Sequence, residues 1–223
     1  MAALVAILGA GSASRFGRDK LSAICAGKPL GAWALDAALA TGRPVVWVAG
    51  RDIPAFIGER CALVRNGSAE RGLGTSVACA TEFAERRGHS ALILLLADMP
   101  LVSTASISRL FEHDTPAAYR YSDGHAGAPA VFPRAMFAAL RDLSEDRGAG
   151  TLLADLAPDR VLRCDLDELL DVDNPSDLAR ATRLLGQHAT KTTASAVRAK
   201  TIDIVEFRAR PAQPNRESDN VAS

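Results

Sequence analysis

Three short apolar runs without charge constrain the fold of this chain most strongly: Ala2–Leu8, Pro44–Ala49 and Ala91–Ala97. Continuous apolar runs bounded by Gly, Asp or Pro are typical of parallel strands that are buried on both faces. Two segments with helical spacing of apolar residues, Leu30–Ala40 and Ser76–Arg87, lie between these runs. Strands that alternate with helices predict an α/β fold with a mostly parallel sheet and right-handed crossovers.

The pattern changes after Asp98, where a small antiparallel insertion is predicted. Ala117–Tyr121 and Ala128–Phe132 flank the sequence Ser-Asp-Gly-His at 122–125. Asp-Gly favours a tight turn, so the two flanking segments are expected to pair as a hairpin. We expect this hairpin to lie beside the carboxyl edge of the sheet.

Composition limits the classes of partner. The chain has 223 residues, with 26 Lys and Arg against 26 Asp and Glu, so no net charge attracts nucleic acid or an anionic membrane. No apolar run approaches the ~20 residues of a membrane span, and no basic segment precedes the first run. Scattered cysteines without C-x-x-C spacing are expected to be reduced, buried thiols. These features predict a cytoplasmic protein.

The chain is expected to form one domain over residues 1–186 and a tail over residues 187–223. The tail is polar and rich in Thr, Ala, Arg, Pro and Asn, so it is expected to be mostly disordered. Within it, Thr201–Phe207 alternates like a strand and is a candidate to dock on a sheet edge or on a partner.

A loop of small residues follows the first apolar run and predicts a phosphate site. Its backbone N–H groups can cradle phosphate oxygens, and two cations, Arg15 and Lys20, follow at a spacing that lets both reach one anion. The dinucleotide fingerprint is excluded because Ser14 stands where it needs glycine, and a Walker A loop is excluded because Leu21 follows the lysine. The nucleotide-binding residues predicted in this loop are Gly9, Ala10, Gly11 and Ser12.

Carboxylates at two other places predict a Mg²⁺ site. Asp98 ends the third apolar run, at the carboxyl edge where open α/β sheets bind ligands, and a carboxylate opposite a triphosphate needs a cation between them. Asp171 and Asp173 alternate with apolar residues, so in an extended segment both carboxylates face one way and one of them is a candidate second ligand. The alternative is that Asp173 and its neighbours only cap a final helix, which Pro175 opens and which runs to about Leu185.

A second small-residue loop, Asn66–Ser76, opens the helical segment after it and is a candidate for a nucleobase or ribose. Asn66, Gly74 and Ser76 are the residues predicted to contact the nucleotide there. The histidines of the chain share no spacing, so we expect them on the surface.

The first loop, Leu-Gly-Ala-Gly-Ser-Ala-Ser-Arg-Phe-Gly-Arg-Asp-Lys-Leu, resembles the G-x-x-x-R-[FM]-G-x-x-K-L signature of nucleotidyltransferases that handle molybdenum cofactor. Leu-Ala-Asp-Met-Pro at 96–100 and Asp-Val-Asp-Asn-Pro-Ser-Asp-Leu at 171–178 are similar to later motifs of the same MocA/MobA-like family. The resemblance covers about residues 3–186 and implies a single Rossmann-like domain. It also implies that the first loop binds a triphosphate and that Asp98, with the group at Asp173, binds Mg²⁺.

The resemblance favours the cytidylyl branch of that family. Ala10 and Phe16 side with it, whereas Gly9 departs from both the cytidylyl and the guanylyl pattern, and Ala128 stands where the family has histidine. The expected reaction is cytidylyl transfer from CTP to the terminal phosphate of molybdopterin, with Arg15, Lys20 and Asp98 as the catalytic residues. A molybdenum hydroxylase or its maturation factor is a further expected partner.

Two other readings stay open at this point. One is a guanylyltransferase, using GTP, or a sugar-1-phosphate nucleotidyltransferase of the same fold. The other is a non-catalytic nucleotide-binding module that carries molybdenum cofactor as a chaperone.

Overall fold

The computed structural model describes residues 3–11, 20–144, 148–189 and 204–207. The strands in this part of the chain are β1 (Leu4–Gly9), β2 (Ile24–Cys25), β3 (Lys28–Pro29), β4 (Val45–Ala49), β5 (Ala62–Asn66), β6 (Ala91–Leu96), β7 (Ala117–Arg120), β8 (Ala126–Pro133), β9 (Val161–Leu162) and β10 (Ile204–Phe207). The α-helices are α1 (Leu30–Leu39), α2 (Leu73–Arg86), α3 (Thr104–Leu110), α4 (Phe137–Arg141) and α5 (Pro175–Ala189).

The main sheet has eight strands in the order β10-β5-β4-β1-β6-β8-β7-β9. The run from β10 to β6 is parallel throughout. β8 pairs antiparallel with both β6 and β7, and β9 adds a short parallel pair to β7. The predicted mostly parallel sheet with a small antiparallel hairpin is therefore confirmed.

Helices cover both faces of this sheet, which is why its central strands carry no charge. Val5 and Ile7 of β1 face the layer that contains α1 and α3. Leu4 and Ala6 face the opposite layer, which contains α2 and α4. Because both sides of the strand are buried, alternation between polar and apolar residues is absent and the run is apolar throughout.

Helix α5 packs against the small β2–β3 sheet instead of the main one. Cys25, Leu30, Ala181 and Leu185 form an apolar cluster there, together with Val172 from the segment before α5. This cluster fixes the chain that leads into α5, and that chain passes the end of β6. No helix among the described residues is long and apolar enough to cross a membrane.

Several boundaries differ from the sequence prediction. Strand β5 was not predicted, because it has only a short apolar stretch that ends at the exposed Arg65. Helix α2 starts at Leu73 and not at Ser76, and α5 runs to Ala189 and not to about Leu185. Strand β8 is followed by a 3₁₀ turn over Arg134–Met136 and then by the short α4. The predicted strand within residues 201–207 is present as β10, on the edge of β5. The division into a domain at 1–186 and a tail stays a prediction.

Candidate active site

The order of strands creates a crevice at the carboxyl ends of β1 and β6. From β1 the chain continues to β4 and β5 on one side and then crosses to β6 on the other. A reversal of this kind leaves an open crevice where α/β sheets bind ligands. The backbone N–H of Ala97 donates to the carbonyl of Leu8 at 3.1 Å, which holds the end of β6 beside the start of the first loop.

The first loop is described in part. Gly9 ends β1, Ala10 is buried, and Gly11 is exposed, with nothing within 4 Å of where a Cβ would lie. Ser12 and Arg15 lie outside the described residues, so their predicted roles stay predictions. The loop is described again from Lys20, at the start of a short 3₁₀ turn.

Lys20 joins the two carboxylates that were predicted to bind a metal. Its Nζ donates to Asp98 Oδ2 at 2.7 Å and to Asp173 Oδ1 at 3.2 Å. The Lys20 and Asp98 side chains are 15% and 22% exposed, whereas Asp173 is 59% exposed. Burial lowers the pKa of Lys20, but the charges and hydrogen bonds of Asp98 and Asp173 outweigh it and raise the pKa above its ordinary value. The lysine therefore stays charged at neutral pH.

A backbone hydrogen bond explains why Asp173 reaches this place. The N–H of Val172 donates to the carbonyl of Asp98 at 3.1 Å, and the Val172 side chain is fully buried. With Val172 fixed, the residues on either side of it are held next to the end of β6. The sequence pattern identified both acids but not this bond, which depends on tertiary contact.

Asp171, the other acid of that pair, is turned inward. Its Oδ1 is buried and has no hydrogen-bond partner among the described residues. Burial, and then the charges of Asp98 and Asp173, raise the pKa of Asp171 to about 7, against the opposing effect of Lys20. A buried carboxyl oxygen that accepts no hydrogen bond is energetically unfavourable unless a ligand or a cation contacts it.

The donor set fits a magnesium ion that is bound together with a nucleotide. Mg²⁺ is usually held by one or two carboxylates, with phosphate oxygens and waters completing its octahedron. Asp98 and Asp173 supply two carboxylates on one cation. Among the described residues there is no group of three or more acidic, histidine or cysteine side chains that could hold a metal without a ligand. The phosphates would have to supply the other oxygens.

The residues that follow Asp173 cap the N-terminus of α5. Asn174 Oδ1 accepts from the backbone N–H groups of Ser176 and Asp177, at 2.9 and 3.0 Å. Asp177 Oδ2 accepts in return from the N–H groups of Asp173 and Asn174, at 3.0 and 3.1 Å. This reciprocal arrangement is a capping box. The capping interpretation is therefore confirmed for Asn174 and Asp177, whereas Asp173 contacts Lys20 and its role as a metal ligand stays a prediction.

The second loop is braced by its own side chains. Asn66 Nδ2 donates to Thr75 Oγ1 at 2.8 Å and to Ser76 Oγ at 2.9 Å, while its Oδ1 accepts from the Ser68 N–H at 2.9 Å. Asn66 and Ser76 are 3% and 4% exposed, and Gly74 is buried in the first turn of α2. Contact of these three residues with a nucleotide stays a prediction, and the structure assigns Asn66 and Ser76 a bracing role.

Tyr121, in the turn of the hairpin, lies near the site although the sequence analysis did not single it out. Tyr121 Oη donates to the Ala128 carbonyl at 2.6 Å and lies 4.0 Å from Met99 Sδ, next to Asp98. The only sequence signal for it was its position at the base of the predicted Asp-Gly turn.

Comparison with known proteins agrees with this geometry. Residues 5–161 match the family described as the MobA-like NTP transferase domain. The purine catabolism protein PucB of Bacillus subtilis is 30% identical over 195 residues, which cover 80% of this chain and 95% of PucB.

Solved structures show the same fold. A nucleotidyl transferase from Methanothermobacter thermautotrophicus superposes with a TM-score of 0.69 at 19% identity, over 83% of this chain and 98% of its own. Rv0371c of Mycobacterium tuberculosis, in a complex with manganese, superposes with a TM-score of 0.63 at 25% identity, over 82% and 98% of the two chains. The family match and the identity to PucB establish that this chain belongs to the MobA-like NTP transferases.

Proposed function

We propose that the protein transfers a cytidylyl group from CTP to the terminal phosphate of molybdopterin and releases pyrophosphate. The observation that carries this proposal is the Lys20 ammonium, within hydrogen-bond distance of Asp98 and Asp173 beside the first loop. A cation and two carboxylates at the carboxyl edge suit a nucleoside triphosphate bound with a divalent metal.

The reaction is a single in-line displacement at phosphorus. An oxygen of the acceptor phosphate attacks the α-phosphorus of CTP, and the bond from that phosphorus to the oxygen bridging to the β-phosphate breaks. Pyrophosphate leaves with the bond's electron pair, and no covalent enzyme intermediate is required. Phosphoryl-type transfers of this kind depend on positioning and on neutralisation of charge.

The residues of the site divide this work. Lys20 moves from the carboxylates to the α-phosphate, where negative charge develops, and Arg15 holds the leaving pyrophosphate. Asp98 and Asp173 would hold Mg²⁺, and the ion would supply positive charge that neutralises the phosphates. The N–H groups at Gly9, Ala10, Gly11 and Ser12 bind triphosphate oxygens.

The choice of CTP rests on Ala10 and Phe16, which match the cytidylyl branch. Molybdopterin as acceptor rests on the resemblance of the first loop and on membership of the MobA-like family. A carrier that only binds the cofactor would have no need of a lysine shared by two carboxylates, so catalysis is the favoured reading. A molybdenum hydroxylase or its maturation factor is then the expected recipient of the product.

The test is a transfer assay with purified protein, Mg²⁺, molybdopterin and either CTP or GTP. Both pyrophosphate and the dinucleotide product are measured. Turnover with CTP alone is expected. Turnover with GTP alone would keep the mechanism and reverse the base assignment, whereas nucleotide binding without turnover would favour the carrier. A sugar 1-phosphate in place of molybdopterin checks the remaining acceptor class.

A further inference from the structure

The tip of the β7–β8 hairpin carries two stacked rings. The centroids of Tyr121 and His125 are 4.5 Å apart, and the ring planes differ by 17°. Asp123 fixes the imidazole, because its Oδ1 accepts from the His125 N–H at 3.1 Å and also contacts the ring Nδ1. A Cβ at Gly127 would lie 3.1 Å from Tyr121 Cε2 and 3.4 Å from His125 Nε2, so glycine lets both rings sit against the strand.

One face of this stack is open. The His125 side chain is 56% exposed although one of its faces covers Tyr121, so the other face is turned to solvent. Tyr121 beneath it is half-buried and is fixed by its hydrogen bond to the Ala128 carbonyl. The pair is therefore a rigid aromatic surface with a free side.

The stack adjoins the proposed catalytic centre. Tyr121 Oη lies 4.0 Å from the sulfur of Met99, the residue after Asp98. Burial, and then the negative charges of Asp171 and Asp98, raise the pKa of Tyr121. The tyrosine hydroxyl therefore lies at the end of the stack beside the segment that carries Asp98, and the imidazole is the exposed end.

Sheet order separates the stack from the nucleotide loops. The first loop follows β1, and the Asn66–Ser76 loop follows β5, on the β4 side of β1. The hairpin lies on the opposite side of β6, so Asp98, which follows β6, lies between the hairpin and the two nucleotide loops. An in-line transfer needs the acceptor and the leaving pyrophosphate on opposite sides of the reacting phosphorus. Because the triphosphate is assigned to the loops on the β1 side of Asp98, the acceptor is expected on the hairpin side.

We propose that the open face of His125, backed by Tyr121, binds the planar heterocycle of the acceptor by stacking while its phosphate reaches the crevice beside Asp98. This inference rests on the proposed transferase function and assigns the side chains that would position the ring of its acceptor, His125 and Tyr121. Ring stacking of this kind tolerates different rings, because each has a π-face.

The experiment uses full-length wild-type protein and four variants. His125→Phe keeps a ring that can stack, and His125→Leu removes it. Tyr121→Phe keeps the lower ring and removes only the hydroxyl. His89→Leu is the matched control, since His89 precedes β6 at the opposite, amino edge of the sheet. Thermal unfolding of each variant is recorded so that a loss of fold is recognised.

Three quantities are measured for each protein. The first is the affinity for 6-carboxypterin, a fluorescent anionic pterin, from the quenching of its emission. The other two are the KM for molybdopterin and the KM for CTP in the transfer assay. His125→Leu is expected to weaken pterin binding and to raise the KM for molybdopterin by about fivefold or more, the lower range of single-ring stacking. The KM for CTP in every variant, and all three quantities in His89→Leu, are expected to stay within about twofold of the wild type. His125→Phe and Tyr121→Phe, which each keep a ring in the stack, are expected to lose less pterin affinity than His125→Leu.

The failures are distinguishable. If His125→Leu folds and binds 6-carboxypterin as the wild type does, or if the wild type does not bind it at all, the stacking surface is overturned even where transfer to molybdopterin occurs. If pterin binding depends on the ring at position 125 but no nucleotide is transferred, the stacking surface stands and the transferase proposal fails.

Discussion

The indole of Trp47 packs directly against the Cα of Gly9, so that a Cβ at position 9 would lie 2.4 Å from Trp47 Cζ2. Trp47 in β4 is fully buried, and its ring meets Phe56 edge-on with centroids 5.5 Å apart. Within the part of the chain that the structure describes, its Nε1 has no hydrogen-bond partner. This contact explains why glycine stands at the end of β1, where the sequence departs from the pattern of both branches. The first loop leaves the sheet from a position that only glycine fits.

Gly9→Ala is therefore expected to destabilise the fold by about 1–3 kcal/mol, the usual effect of overpacking. Urea unfolding measures this loss. Gly11→Ala is the matched control, because nothing lies within 4 Å of its Cβ. In a Trp47→Phe background the effect of Gly9→Ala should shrink, since the shorter ring vacates the space. Equal effects of Gly9→Ala in both backgrounds would rule out this contact as the cause.

Lys20→Ala is expected to reduce turnover at least about tenfold, because the α-phosphate loses its cation. The same change should tighten the binding of Mn²⁺ without nucleotide by about fivefold, since the ammonium no longer competes for Asp98 and Asp173. Electron paramagnetic resonance of free Mn²⁺ measures that affinity.

Lys28→Ala is the control for loss of a lysine. Lys28 pairs with Asp36 of α1 and not with the site carboxylates, so its removal should leave Mn²⁺ affinity unchanged. Mn²⁺ affinity that is the same in Lys20→Ala and wild type would show that the lysine and the metal do not share these carboxylates.

Asn66→Ala is expected to lower the free energy of unfolding by about 1–3 kcal/mol, because it leaves the buried Ser76 hydroxyl and the Ser68 N–H without a partner. Nucleotide affinity should fall with it as the loop loosens. Ser68→Ala, which keeps the backbone N–H, is the control. A loss of nucleotide affinity with no loss of stability would instead identify Asn66 as a direct nucleotide contact.

The four cysteines are expected to react slowly with iodoacetamide at pH 8. Burial raises the pKa of Cys61, Cys79 and Cys164 to about 11 and raises that of Cys25 above its ordinary value. The reactive thiolate is therefore scarce at pH 8 and becomes abundant only as the pH approaches those values. Mass spectrometry of intact protein should show Cys164 labelled first, because it is half-buried and the other three are buried. Rapid labelling of Cys61 or Cys79 would contradict the packing described for them.

The sequence predicted those features that depend on local pattern. Charge-free runs identified β1, β4 and β6, since strands buried on both faces cannot carry charge, and Asp98 followed from its position at the end of such a run. Features that need two distant segments could not be predicted. β5 is too short and polar to identify without its neighbours.

The same limit applies within the site. The fit of Gly9 to Trp47 depends on the pairing of β1 with β4. The inward turn of Asp171 depends on the hydrogen bond from Val172 to Asp98, which no spacing encodes. The stacking of His125 on Tyr121 was not predicted, because it depends on the conformation of the hairpin turn and the sequence indicated only a surface histidine.

The most direct test of the central claim compares pyrophosphate release by wild type, Asp98→Asn and Asp36→Asn with CTP, Mg²⁺ and molybdopterin. Asp98→Asn keeps the shape of the side chain and removes its negative charge. Asp36→Asn is the matched control, because Asp36 pairs with Lys28 and Arg60 and not with the site. The account predicts that Asp98→Asn loses about a hundredfold or more in turnover and that Asp36→Asn stays near wild type. Turnover of Asp98→Asn within about threefold of wild type would contradict the assignment of this carboxylate to the catalytic metal site.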